Sequence, residues 1–94
     1  MSNQSIAKAA ALKEFRTIPG VGRTIAEDFW NLGLRNVADL KTQDPQKLFD
    51  RLCNFQGIRV DCCMLYVMRC AVYFASTPKP KPALLKWWNW KDRR

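Results

Sequence analysis

The 94-residue chain has no histidine. Histidine titrates closest to neutral pH and is the commonest metal ligand, so its absence argues against most hydrolytic chemistry. Acidic residues are scarce, eight against sixteen Lys and Arg. Asp28, Asp39, Asp44, Asp50 and Asp61 fall at separate caps and turns, with no carboxylate pair or carboxylate–lysine cluster to hold a metal. No long hydrophobic run is present. CCMLYVM and CAVYFA are separated by Arg69 and are too short to span a bilayer. Nor is there the charged start, apolar middle and small-residue cleavage site of a secretory signal. These absences lead us to expect a cytoplasmic, membrane-free, non-catalytic protein.

There is no CxxC pair either. Cys62 and Cys63 are adjacent, and neighbours on one helix point about 100° apart, which suits no tetrahedral site. Cys63 and Cys70 share a helical face and are expected to be small buried hydrophobes, with Cys62 the more exposed thiol. With Cys53 they imply no metal, no cofactor and, in the cytoplasm, no structural disulfide.

What is present is helix. Ser5 is a plausible cap for a first helix to Arg16, with Ile6, Ala9, Ala10, Leu12 and Phe15 as its apolar stripe. A second helix resumes near Arg23 or Thr24 and reads TIAEDFWNL, with Thr24 and Glu27 as a capping box and Gly33 as its left-handed end. NVADL, capped by Asn36, is a short connector. Asp44-Pro45 opens a third helix that ends by Gly57. The fourth starts after Asp61, runs to about Ser76, and is apolar on nearly every side except at Arg69, so it should lie centrally. The class is all-α, with a domain over 1–76 and a linker and tail over 77–94.

Between the first two helices stands TIPGVGRT, a Pro-Gly-x-Gly turn. At an offset of 37 positions, IPGVGR aligns with FQGIRV, Thr24 with Asp61, Ala26 with Cys63 and Phe29 with Tyr66. Each half reads helix, tight turn, helix, and the second has lost its proline and second glycine.

This pattern resembles the helix-hairpin-helix motif, and two copies with a connector look like the double helix-hairpin-helix domain of many DNA repair proteins. CNFQGIRVDCCMLYVMRCAVYFAS and LLKWWNWKD resemble a small bacterial family labelled "pathogenicity locus", also described as mitomycin-resistance-like. The resemblance implies non-specific contact with DNA phosphate, duplex or single-stranded. Backbone N–H groups of such a turn, followed by a helix N-terminus, form an anion site. The residues expected at phosphate are Gly20, Val21, Gly22, Arg23 and Thr24, although the family usually has lysine where Thr24 stands. Gly57, Ile58 and Arg59 form a weaker second contact. A family glycosylase would need a catalytic Asp after the hairpin; Asp39 lies near there but reads as part of the connector.

Six basic residues against Asp92 put +5 of the +8 net charge in Ser76–Arg94. There TPKPKP is a stiff spacer and ALLKWWNWK a short helical stretch. Three tryptophans in four residues must pack, and docking on the domain's own helices, or on a second copy, is the expectation. Lys86, Trp87, Trp88, Trp90 and Lys91 are alternatively contacts for single-stranded bases. Beside DNA binding stands the reading of a protein-interaction or homodimer module built on the helices and the tail.

Overall fold

The computed structural model describes residues 3–91, with side chains from Ile6 onward. Four α-helices form the body: α1 (Asn3–Phe15), α2 (Arg23–Asn31), α3 (Pro45–Gln56) and α4 (Cys63–Ser76). A 3-10 connector spans Val37–Thr42, and two 3-10 turns, Pro82–Leu85 and Trp87–Trp90, form the tail. The described residues include no strand, as the all-α expectation required.

Local sequence accounts for most boundaries. Asn36 Oδ1 accepts from Asp39 N–H at 2.9 Å and starts the connector. Asp39 Oδ2 accepts from Arg35 N–H in return, so Asp39 belongs to this cap. Asp44 Oδ1 accepts from Gln46 N–H, with Pro45 at the first helical position of α3. Gly33 (φ +93) closes α2: Leu34 N–H donates to Phe29 O and Gly33 N–H to Trp30 O. That is a Schellman motif, with Leu34 buried behind it.

α1 departs from expectation. It begins before Ser5, which therefore lies inside the helix. Its inward face is Ala11 and Phe15, flanked by half-buried Lys8 and Leu12, whereas Ile6, Ala9 and Ala10 face solvent. Positions 8, 11, 12 and 15 make one narrow stripe, enough for a helix whose main neighbour is α2. Phe15 meets Phe29 of α2 edge-on at 5.4 Å.

α4 is the central helix. It buries Met64, Val67, Met68, Cys70 and Ala71 and packs on the connector, α3 and both tail turns. The chain after Ser76 folds back along it. Lys81 N–H donates to Tyr73 Oη at 2.9 Å, and the Trp90 indole N–H donates to Leu84 O at 2.8 Å. Arg69, the one charge on α4, donates to Trp90 O at 2.8 Å. The tail thus docks on the chain's own helices. Arg93 and Arg94 lie outside the described residues.

The 37-residue correspondence holds only at the turn glycines, Gly20 (φ +88) and Gly57 (φ +70). α1 stops at Phe15, five residues before Gly20, whereas α3 has no proline after it and runs directly into Gly57. Gly57 N–H donates to Cys53 O at 2.9 Å, a left-handed helix end. The second turn is therefore displaced relative to its helices, and the aligned pairs take different environments.

Candidate nucleic-acid interface

The first hairpin is a built turn. Val21 N–H donates to Ile18 O at 3.1 Å across Pro19-Gly20, with Gly20 left-handed, as a type II turn requires. Ile18 and Val21 are buried at its two ends and clamp it to the core. Pro19-Gly20 thus lets the chain leave α1 and re-enter at α2 with both apolar ends inward.

Gly22 is different. It is exposed, its backbone is extended (φ −95, ψ −169), and a Cβ there would meet nothing within 4 Å. It precedes α2 as N-cap, and no side chain caps that helix. The expected Thr24–Glu27 capping box is not formed, because α2 already starts at Arg23 and Thr24 lies within its first turn. Glu27 instead faces Arg23 at 3.8 Å, one helical turn away. The Arg23 side chain is 82% exposed, and such a surface pair holds it weakly. The opening N–H groups of α2 therefore face outward beside a bare glycine and an exposed cation.

One side of the hairpin is covered. A Cβ on Gly20 would lie 3.0 Å from Cδ1 of Trp87, so that glycine serves both the left-handed turn and the close seating of the tail. Trp87 is half-buried against the core. Trp88 meets it edge-on at 5.6 Å and is 56% exposed. Trp90 stacks at a tilt on Tyr73 at 5.3 Å. Lys86 and Lys91 are exposed at either end of this cluster. Among the tail residues expected to contact DNA, Trp87 and Trp90 serve the fold, and Lys86, Trp88 and Lys91 face out.

Gly57, Ile58 and Arg59 of the second hairpin are all exposed. Here the helix start is already occupied: Asp61 Oδ1 accepts from Cys63 N–H at 2.9 Å. That backbone bond holds the Asp61 carboxyl below its ordinary range. Val60 turns inward instead of Ile58, and its N–H donates to Cys53 Sγ at 3.4 Å.

The four cysteines are scattered. Cys70 is buried, and burial pushes its thiol up to about 11. Cys62 is exposed as expected, but Cys63 is exposed too, because α4 turns that edge of its first turn away from the core. The Asp61 carboxylate beside Cys63 raises its thiol pKa. Among the described residues no three Cys, Asp or Glu side chains gather as a metal site. Asp28, expected at a cap or turn, lies within α2 and is partly buried, which raises its pKa despite a 3.4 Å hydrogen bond from Gln56.

Two interactions went unread in the sequence. Arg35 stacks its guanidinium 3.7 Å over Trp30 and donates to the carbonyls of Trp30 and Leu34 at the end of α2. Arg69 pins the tail, and its solitary charge in an apolar helix was the available signal.

The family model described as pathogenicity locus (Cdd1) matches residues 8–94. A mitomycin resistance protein, McrB, from Streptomyces lavendulae is 31% identical over 81 residues, spanning 86% of this chain and 73% of the relative. No solved structure matches significantly. No helix among the described residues is long and apolar enough to cross a membrane.

Proposed function

The chain belongs to the pathogenicity locus family, and from that premise we propose that it is a non-catalytic, double helix-hairpin-helix protein that binds DNA by its backbone phosphates, largely without regard to sequence. Gly22 carries the reading. Its backbone conformation is open to any residue and its surroundings have room for a side chain, so the fold itself has no need of glycine there. What glycine provides is unobstructed backbone N–H at an uncapped helix N-terminus, the arrangement that accepts a phosphate.

The roles follow from position. Gly20 and Val21 set the turn, Gly22 and the first N–H groups of α2 meet the phosphate, and Thr24 adds its hydroxyl. Arg23 supplies charge to the same or the next phosphate. Gly57, Ile58 and Arg59 make a weaker contact, because Asp61 fills the equivalent helix start with a carboxylate. Lys86 and Trp88, next to the Trp87 indole that covers Gly20, extend this surface beside the first hairpin, and Lys91 adds charge further along the tail. Such contacts give position and affinity with no base readout. The name of the Streptomyces relative supports placing this DNA binding, in the cytoplasm, in damage resistance.

The test is fluorescence anisotropy of labelled duplex and single-stranded DNA across a salt series, wild type beside Gly22→Glu. Wild type should bind with log Kobs falling by roughly 0.9 per phosphate contacted for each decade of salt on duplex. Gly22→Glu should lose that binding while its circular dichroism stays unchanged. Equal binding by both proteins would assign the affinity to the basic tail, and no binding by either would leave the turn as a chain reversal only.

A further inference from the structure

The two hairpins differ most in what covers them. Ile18 and Val21 of the first are 1% and 7% exposed, whereas their counterparts at offset 37, Phe55 and Ile58, are 60% and 63% exposed. Both turns carry a left-handed glycine. At Gly20 an indole of the tail is in contact, while at Gly57 nothing lies within 4 Å of a Cβ position. Beside Gly57 is an open groove of about 830 Å³, with Phe49, Cys53 and Ile58 as its apolar part and Asp50 and Arg59 among its polar lining. In the described part of the tail Trp88 is the large exposed apolar side chain, adjacent in sequence to the indole that covers the first turn.

We propose that the second hairpin is a self-association site that receives Trp88 from a second copy of this chain. Within one molecule Trp88 and Ile58 are both exposed, so neither covers the other. The chain already shows the contact in its first half, where an indole from the same KWWNWK segment seats on a glycine turn. Charge does not oppose the contact locally: Asp50 and Arg59 balance each other in the groove, and Asp50 is a counter-charge for the Lys86 and Lys91 that flank Trp88. Two reciprocal insertions, each tail into the other hairpin, close as a two-fold dimer without growing into a fibre. A contact this small belongs to the weak, reversible class.

The proposal does not involve the first hairpin, although it takes up Ile58 and Trp88, which the phosphate reading uses as its secondary contacts, and salt separates the two. Copies of charge +8 repel, so added salt strengthens association while it weakens DNA binding. Sedimentation velocity over about 1 μM to about 1 mM chain, at low and high salt, reads the effect directly. Wild type should rise towards double its 10.9 kDa mass, and more readily at high salt. Ile58→Glu and Trp88→Ala, both at exposed positions and checked for folding by circular dichroism, should each associate at least about tenfold more weakly. An equimolar mixture of these two variants should recover part of the association, since one intact Trp88 then meets one intact hairpin. Gly22→Glu should associate like wild type.

A wild type that stays monomeric throughout overturns the proposal. So does either variant associating normally, or a mixture no better than its components. A monomer that binds phosphatidylcholine vesicles through Ile58 assigns the face to a lipid surface and overturns it equally.

Discussion

Alanine at Gly20 should be costly and alanine at Gly22 nearly neutral, although the two glycines are two residues apart in one turn. At Gly20 an L-residue must hold φ +88, a left-handed conformation that costs about 1–2 kcal/mol. Its Cβ would also stand 3.0 Å from Trp87 Cδ1, so the indole must shift by a few tenths of an ångström. A total near 2 kcal/mol corresponds to a fall in Tm of roughly 8–16 °C for a domain of this size. At Gly22 the backbone is already where alanine sits comfortably. Alanine gains about 0.4–1 kcal/mol by restricting the unfolded chain, and loses a few tenths or more as a poorer N-cap than glycine. The net change should stay within about 0.5 kcal/mol. Urea unfolding followed by tryptophan fluorescence measures both. In a Trp87→Ala background the Gly20→Ala cost should shrink towards the backbone term alone, a coupling that a double-mutant cycle isolates. If Gly22→Ala destabilises as much as Gly20→Ala, Gly22 has an internal structural duty and the phosphate reading loses its main support.

Other expectations rest on single contacts. Arg69→Met removes the donor to Trp90 O and should cost about 1–3 kcal/mol, seen as faster proteolysis within 77–91. Asp61 has a folded pKa lowered from 3.8 by the Cys63 N–H, so its contribution is full above the ordinary value and is lost as pH falls through the folded one. Asp61→Asn should therefore flatten the fall in stability on acidification below pH 3.8. Asp28 has the opposite sign, because burial raises its pKa, and Asp28→Asn should raise stability at neutral pH relative to wild type, as chemical denaturation of the two proteins at that pH would show. A thiol-alkylating reagent should label exposed Cys62 first, with Cys63 slowed by its raised thiol pKa beside Asp61 and Cys53 by partial burial. Cys70 should react only on unfolding, since it is buried with its thiol pushed up to about 11.

Elements held by bonds spanning a few residues were legible from the chain alone. Asn36 and Asp44 cap where they should, Gly33 closes α2, and α4 is the central helix. These succeed because donor, acceptor and permissive glycine lie within one turn of each other, so their geometry follows from local spacing. The Thr24–Glu27 box failed for a related reason. Gly22 is the N-cap and α2 starts at Arg23, so Thr24 lies inside the first turn and the box has no free helix end to satisfy. In α1 Leu12 and Phe15 face inward as expected, but Ile6, Ala9 and Ala10 do not, since apolar character alone does not say where α2 stands.

The helices and their order, the left-handed turns and the basic tail are written in residue types and short spacings, because each depends on forces acting within a few residues. Coverage is not written there. Val21 and Ile58 are similar residues in aligned turns, yet one is clamped inside and the other left in solvent. The difference arises because α3 continues to Gly57 where α1 stops short of Gly20, and because the returning tail brings Trp87 to the first turn. Packing between segments more than sixty residues apart in the chain chose which hairpin is supported from within and which is left open.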